Sequence, residues 1–153
     1  HLPADAVENG LSSVALNTGL MGRWQTVGHN PRSICDVAHN QAGIAMVVKQ
    51  LDQVPRRTLH MVWGMVSDKD LSAILPLLPK QASYYFTAAS VPRSMDADFL
   101  QKEAARRGLK GEVFRTVEQA YRAAQRNAGP DDLIFTGGST FVVADLLNAL
   151  GNK

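Results

Sequence analysis

Three short polar clusters hold most of the side chains in this sequence that could do chemistry. They are Asp36-Val37-Ala38-His39-Asn40, Gly64-Met65-Val66-Ser67-Asp68-Lys69-Asp70 and Thr136-Gly137-Gly138-Ser139-Thr140. Each follows an apolar run and leads straight into a helical stretch. In an open parallel sheet that position lies beyond the carboxyl ends of the strands, where ligands bind. The first turn of the following helix offers N–H groups with no intrahelical partner, which favour an anion or a phosphate. The same residues also have plain structural uses. Asp36 and Asn40 are helix-capping types, and His39 near a strand end fits a hydrogen-bonded scaffold. Asp68-Lys69-Asp70 reads equally as a solvated helix start, and Gly137-Gly138-Ser139 as a tight turn with a cap. There is no Gly-Lys-Ser/Thr ending of a Walker A loop, no Gly-x-Gly-x-x-Gly, no His-Glu-x-x-His and no Gly-x-Ser-x-Gly elbow. Taken alone, the residues point to a polar site at strand ends and name no reaction.

The elements that must place these clusters alternate short apolar runs with amphipathic stretches, the pattern of a parallel sheet covered by helices on both faces. Asp5 to Val14 reads as a short helix, broken by Asn17-Thr18-Gly19. Trp24 to Val27 is a short strand at the sheet edge, ended by Gly28 and Asn30-Pro31, and Ser33 to Asp36 is the next. Ile44, Val47, Val48 and Leu51 at helical spacing predict a helix over Gln41–Leu51. The cycle repeats with a strand at Thr58–Trp63 and a helix capped by Asp68 that runs through Leu78. It repeats again with a strand at Ser83–Thr87 and a helix from Asp96 to Gly108, with Arg106 and Arg107 at the negative end of its dipole. A strand at Glu112–Phe114, a helix at Val117–Asn127, a strand at Leu133–Thr136 and a helix opened by Ser139 complete one α/β domain of about six strands.

Composition narrows the function classes. With 153 residues, 45% apolar and 20% charged, the chain can bury an ordinary core without staples. The net charge of +2 is small, and the Arg56-Arg57 and Arg106-Arg107 pairs lack interleaved aromatics, so no nucleic acid is expected as a partner. The single Cys35, inside an apolar strand, excludes a disulfide framework and reads as a small core residue. No apolar run approaches the ~18 residues of a membrane span, and Asp5 and Glu8 stand where a signal peptide needs apolar residues. A cytoplasmic protein with no membrane partner is the expectation.

Taken in order, the motifs resemble a known family. Gly22-Arg23 and Asp36-Val37-Ala38-His39-Asn40 are similar to the Gly-Arg and Asp-x-Ala-His-Asn-Pro signatures of the dihydrofolate synthase/folylpolyglutamate synthase family of Mur ligases. Gly64 to Asp70 resembles its Gly-x-x-x-Asp-Lys-Asp segment, Thr87 to Arg93 its Thr-Ala…Pro-Arg stretch, and Gly138-Ser139 the Gly-Ser that opens its last helix. The likeness runs from about Gly10 to Leu150, and Gln41 departs from it where the family usually has Pro.

The resemblance implies a three-layer Rossmann-like C-terminal domain over 21–153. Residues 1–20, including a helix at Pro3–Val14, are expected to be the tail and linker of an N-terminal ATPase domain that this chain does not contain. The implied reaction uses ATP to activate a dihydropteroate or folate carboxylate as an acyl phosphate, which the amino group of L-glutamate then attacks. On the same basis Arg23 reaches the ATP phosphates and Asp36 contacts the nucleotide. His39 and Ser139 hold the glutamate, and Asn40, Asp68, Lys69 and Arg93 orient their neighbours. The Mg2+ ligands are expected in the N-terminal domain, the chain alone is expected to be inactive, and the whole enzyme is expected to be a monomer. Two alternatives stay open at this stage: the C-terminal domain of a cell-wall Mur ligase, and a stand-alone nucleotide-binding module.

Overall fold

The first two strands, β1 (Gln25–His29) and β2 (Arg32–Cys35), pair antiparallel across the cis Asn30–Pro31 turn, in a computed structural model that describes residues 21–151. The helix and linker expected in residues 1–20 lie outside the described residues. From β2 onward the chain alternates as expected. Helix α1 (Gln41–Leu51) leads to β3 (Leu59–Trp63), and a short helix α2 (Leu71–Ile74) with a 3-10 turn (Leu75–Leu77) leads to β4 (Ser83–Phe86). Then come α3 (Ala97–Ala105), β5 (Gly111–Val113), α4 (Val117–Asn127), β6 (Leu133–Gly137) and α5 (Thr140–Gly151). The sheet order is β1-β2-β6-β3-β4-β5, with every pair after the first parallel. The last strand therefore inserts between β2 and β3, bringing the carboxyl ends of β2, β6 and β3 side by side.

Because side chains alternate across a strand, the sheet feeds two cores. Ile34, Met61, Trp63 and Phe135 face α1, α2 and α3, through Ile44, Leu51, Ile74 and Leu100. Cys35, Val62, Tyr85 and Ile134 face α4 and α5, through Ala120, Ala124, Val143 and Leu146. All five residues of both β3 and β6 are buried, as strands covered on both faces must be. Cys35 is a core residue as expected; burial first, and then the nearby Asp36 charge, push its thiol up to about 12.

One element differs from expectation. Asp68 does not cap a helix running to Leu78. The cap is Asp70, whose Oδ1 accepts from Ser72 N at 3.0 Å and Ser72 Oγ at 2.6 Å. Val66 is still extended, bridging to Ser94, so the chain cannot turn helical as early as Asp68. Pro76 then lacks the N–H that continued α-helix requires, and the segment tightens into the 3-10 turn.

At the amino ends of the strands sits a partly buried polar chain, with His60 and Tyr85 buried and Asn127 exposed. Asn127 Nδ2 donates to Tyr85 OH at 3.2 Å, and Tyr85 OH lies 2.9 Å from His60 Nδ1. Asp132 Oδ2 then accepts from His60 Nε2 at 2.9 Å and from Gly129 N at 3.0 Å. In the neutral ring the proton is on Nε2, and Nδ1 accepts from the tyrosine hydroxyl. Among the described residues no helix is long and apolar enough to cross a membrane.

Candidate functional site

Backbone hydrogen bonds stitch the carboxyl-end loops together in sheet order. Val37 N donates to Gly22 O at 2.8 Å, Asp36 N to Thr136 O at 3.2 Å, Gly64 N to Gly137 O at 3.3 Å and Thr87 N to Trp63 O at 3.0 Å. The glycines of the sequence motifs are what allow this approach. A Cβ on Gly138, whose φ is +107°, would lie 2.2 Å from Gly64 O, and one on Gly64 would lie 2.6 Å from Thr87 O. No side chain fits between backbones that close, so the loops after β6, β3 and β4 form one continuous wall.

The residues expected to carry function fall into two groups along that wall. Arg23, Asp36, His39, Asn40 and Ser139 gather around the ends of β2 and β6. Arg23 is exposed, in a turn between Gly22 at φ +78° and Trp24 at φ +44°. Asp36 Oδ2 accepts from Trp24 N and its Oδ1 from Ala38 N, each at 2.8 Å. His39 is exposed, with Nδ1 3.2 Å from Val37 O. A carbonyl only accepts, so Nδ1 carries the proton and the neutral ring presents a lone pair on Nε2. Asn40, rather than Asp36, caps α1: its Oδ1 accepts from Gly43 N at 2.8 Å. Ser139 is buried, and its Oγ accepts from Val142 N at 3.0 Å, so Gly137-Gly138-Ser139 is a tight turn with a cap.

Asp68, Lys69 and Arg93 form the second group, beyond β3 and β4. Ser67 N donates to Arg93 O at 2.7 Å, and the Arg93 guanidinium reaches Asp68 Oδ2 at 3.4 Å. It also lies 5.9 Å from the centre of the Phe141 ring. Both charged side chains are more than 60% exposed, where an ion pair adds little stability, so the contact fixes loop geometry more than it stabilises. Ser90, which donates its N–H (2.8 Å) and hydroxyl (3.1 Å) to Asp145, ties the same loop to α5.

A tight space between α1 and the carboxyl ends of β3 and β6, too small to admit a water molecule, is lined by Asp36, Ala38, Ile44, Val47, Trp63, Phe135 and Gly138. Trp63 Nε1, Thr87 Oγ1 and Thr136 Oγ1, all at strand carboxyl ends, are buried with no hydrogen-bond partner among the described residues. Such groups cost roughly 1–3 kcal/mol each, and here they concentrate at the carboxyl end of the sheet. Thr136 opens one of the polar clusters and Thr87 one of the motifs read from the sequence, whereas Trp63 reads as an ordinary strand residue and nothing local marks its orphaned N–H. Trp24, Gln25 and Asp145 also went unnoticed, since their partners are set by folding rather than by local spacing.

The donor set fits an anionic ligand: a guanidinium at Arg23 and the opening N–H groups of α1 and α5. It does not form a divalent-cation cage, for among the described residues no three His, Cys, Asp or Glu side chains come together.

Residues 22–140 match the family described as Mur ligase, glutamate ligase domain. In sequence the chain is similar to the dihydrofolate synthase/folylpolyglutamate synthase of Escherichia coli K12, at 30% identity over 149 residues, 95% of this chain and 33% of that enzyme. In structure it is similar to E. coli FolC in complex with DHPP and ADP, with TM-score 0.78, 28% identity and coverage of 99% of this chain and 35% of that one. It is also similar to a bifunctional folylpolyglutamate synthase/dihydrofolate synthase with Mn, AMPPNP and L-glutamate bound, with TM-score 0.75, 32% identity and coverage of 98% and 35%. The chain thus spans about a third of the length of these relatives. The family match runs from the Gly22 turn to the first residue of α5 and takes in every loop of the site, so this chain belongs to the Mur ligase glutamate ligase domain family.

Proposed function

We propose that this chain is the C-terminal domain of an ATP- and Mg2+-dependent amide ligase that joins L-glutamate to dihydropteroate or a folate, and that it supplies one wall of the active site. The observation that carries this is the gathering of Arg23, Asp36, His39 and Ser139 on the adjacent ends of β2 and β6. Its support outside the chain is the likeness to proteins solved with ADP and DHPP, and with Mn, AMPPNP and L-glutamate. Residues 1–20 are then the tail and linker of the domain that supplies the opposite wall and the metal ligands.

Arg23 would reach the nucleotide phosphates across the cleft, where a guanidinium offsets negative charge as the terminal phosphoryl moves to the folate carboxylate. Asp36 has acceptor capacity left beyond its two backbone N–H groups, enough to take a hydroxyl of the nucleotide. His39 and Ser139 hold the glutamate. The Nε2 lone pair of His39 accepts from the amine, and Ser139 offers the hydroxyl hydrogen that its capping bond does not use. Holding the amine nitrogen against the acyl phosphate carbon turns the bond-forming step into an oriented, unimolecular one, with phosphate leaving. Asn40 keeps the His39 loop in register, and Asp68, Lys69 and Arg93 orient the neighbouring loops.

The test is ATP-dependent incorporation of glutamate into dihydropteroate and tetrahydrofolate by the longer protein that carries this segment. His39→Ala is expected to lower turnover on the order of 100-fold while nucleotide binding survives. This segment alone is expected to bind nucleotide weakly and turn nothing over. Wild-type protein that incorporates no glutamate into either acceptor would sink the proposal, and an active His39→Ala would return His39 to a scaffold role.

A further inference from the structure

Asp36 joins two segments that each carry an exposed polar side chain of the site. Its Oδ2 accepts from Trp24 N, twelve residues back in the chain, and its Oδ1 from Ala38 N, one residue before His39. Both distances are 2.8 Å, and hydrogen bonds to an ionised carboxylate are about twice as strong as neutral ones.

The upstream segment needs that restraint. Trp24 has φ +44°, a left-handed conformation that crowds a Cβ against the following carbonyl. Such conformations persist where the surroundings over-determine them. Here Val37 N donates to Gly22 O at 2.8 Å, Gly22 N donates to Gln25 Oε1 at 2.8 Å, and the Trp24 indole packs 6.2 Å from the Phe135 ring. Arg23 stands between these two left-handed residues, so the direction of its backbone is set by the bonds on either side. On the downstream side the carboxylate closes the Asp36–Ala38 turn, and the His39 ring bonds back to Val37 O within that turn.

We infer that Asp36 is a positioning residue whose carboxylate locks the Arg23-bearing turn to the His39-bearing loop, so that the two side chains are presented as one rigid unit. The catalytic half of this inference rests on the ligase function proposed above; the lock itself does not. Any nucleotide contact by Asp36 is then additional to this work.

Amide hydrogen exchange in this chain tests the lock without turnover. In Asp36→Asn one carboxylate oxygen becomes an amide nitrogen that cannot accept, and exchange at the Trp24 or Ala38 amide is expected to rise at least about tenfold. Exchange at the Gly43 amide, capped independently by Asn40, is expected to stay within twofold of wild type. Unchanged rates at both Trp24 and Ala38 would overturn the inference. Should the variant not fold, the wild-type chain decides: a scalar coupling across the hydrogen bond between the Trp24 amide nitrogen and the Asp36 carboxyl carbon is expected, and its absence overturns the lock.

In the longer enzyme, Asp36→Asn is expected to lower turnover, and by a smaller factor in an Arg23→Ala background, where only the part acting through His39 and the nucleotide is left to lose. Effects that simply multiply would overturn action through Arg23. An enzyme that ligates no glutamate at all overturns the proposed function, while the exchange result still judges the lock.

Discussion

Gly138 combines two reasons for having no side chain, and the two separate its replacement from that of an ordinary loop glycine. Its φ of +107° is strained for any residue with a Cβ, and that Cβ would lie 2.2 Å from Gly64 O and 3.0 Å from the Trp63 ring. Gly138→Ala must therefore both rotate its backbone and push the β3 loop away. The expected loss is on the order of 3 kcal/mol in urea unfolding, and a loss below about 1 kcal/mol would show that the loops are not wedged together. Cys35 makes a second residue-scale test. Burial, and then the Asp36 charge, push its thiol up to about 12, so the nucleophilic thiolate is scarce in the folded chain. Alkylation at mildly alkaline pH is expected to track unfolding, and native protein modified at the rate of a free thiol would contradict this. The role of Cys35 was legible in the sequence because a lone cysteine inside an apolar strand has few other uses. The lock at Asp36 was not legible, because its partner Trp24 is brought to it by the hairpin of β1 and β2 and nothing local marks the pair.

Elements were legible where periodicity and caps act within one segment. Helix α4 spans Val117–Asn127 as its apolar spacing predicts, and α1 spans Gln41–Leu51. The stretch after β3 was misread because Asp68 and Asp70 both look like caps. Only the Val66–Ser94 bridge, a contact across 28 positions, keeps the chain extended past the first of them. The sheet order was illegible for a similar reason: nothing in β6 itself announces that it inserts between β2 and β3, the step that assembles the site. At α1 the structure makes a usable prediction from the residue that departs from the family resemblance. Gln41 is the first helical residue, where the N–H has no intrahelical acceptor and proline's fixed φ fits. The preceding Asn40 has φ −111° and ψ 168°, which a following proline tolerates. Gln41→Pro is therefore expected to stabilise the chain by about 0.4–1 kcal/mol. The check is a higher urea midpoint at unchanged slope; a drop in the midpoint would mean that the Gln41 N–H is needed elsewhere.

Across the whole molecule the two ends of the sheet are built for different work. The carboxyl end collects exposed polar side chains, left-handed turns and unpartnered buried groups. At the amino end, an unbroken run of hydrogen bonds from Asn127 through Tyr85 and His60 to Asp132 joins α4, β4, β3 and the turn before β6. The difference predicts how acid acts on the amino end. Burial opposes ionisation of Asp132, but hydrogen bonds from His60 and from Gly129 N outweigh it and hold the carboxyl below the ordinary 3.8. A carboxyl lowered in the folded state contributes stability that is complete above 3.8 and is lost as the pH falls through its folded value. Asp132→Asn removes that titration. The variant is expected to be less stable at neutral pH by about 1–3 kcal/mol, since an amide is a weaker acceptor for two N–H groups. Its stability is also expected to fall less steeply than wild type below about pH 4. Urea midpoints measured across that range give both numbers. Parallel wild-type and variant curves would mean that the Asp132 charge does not hold the amino end together.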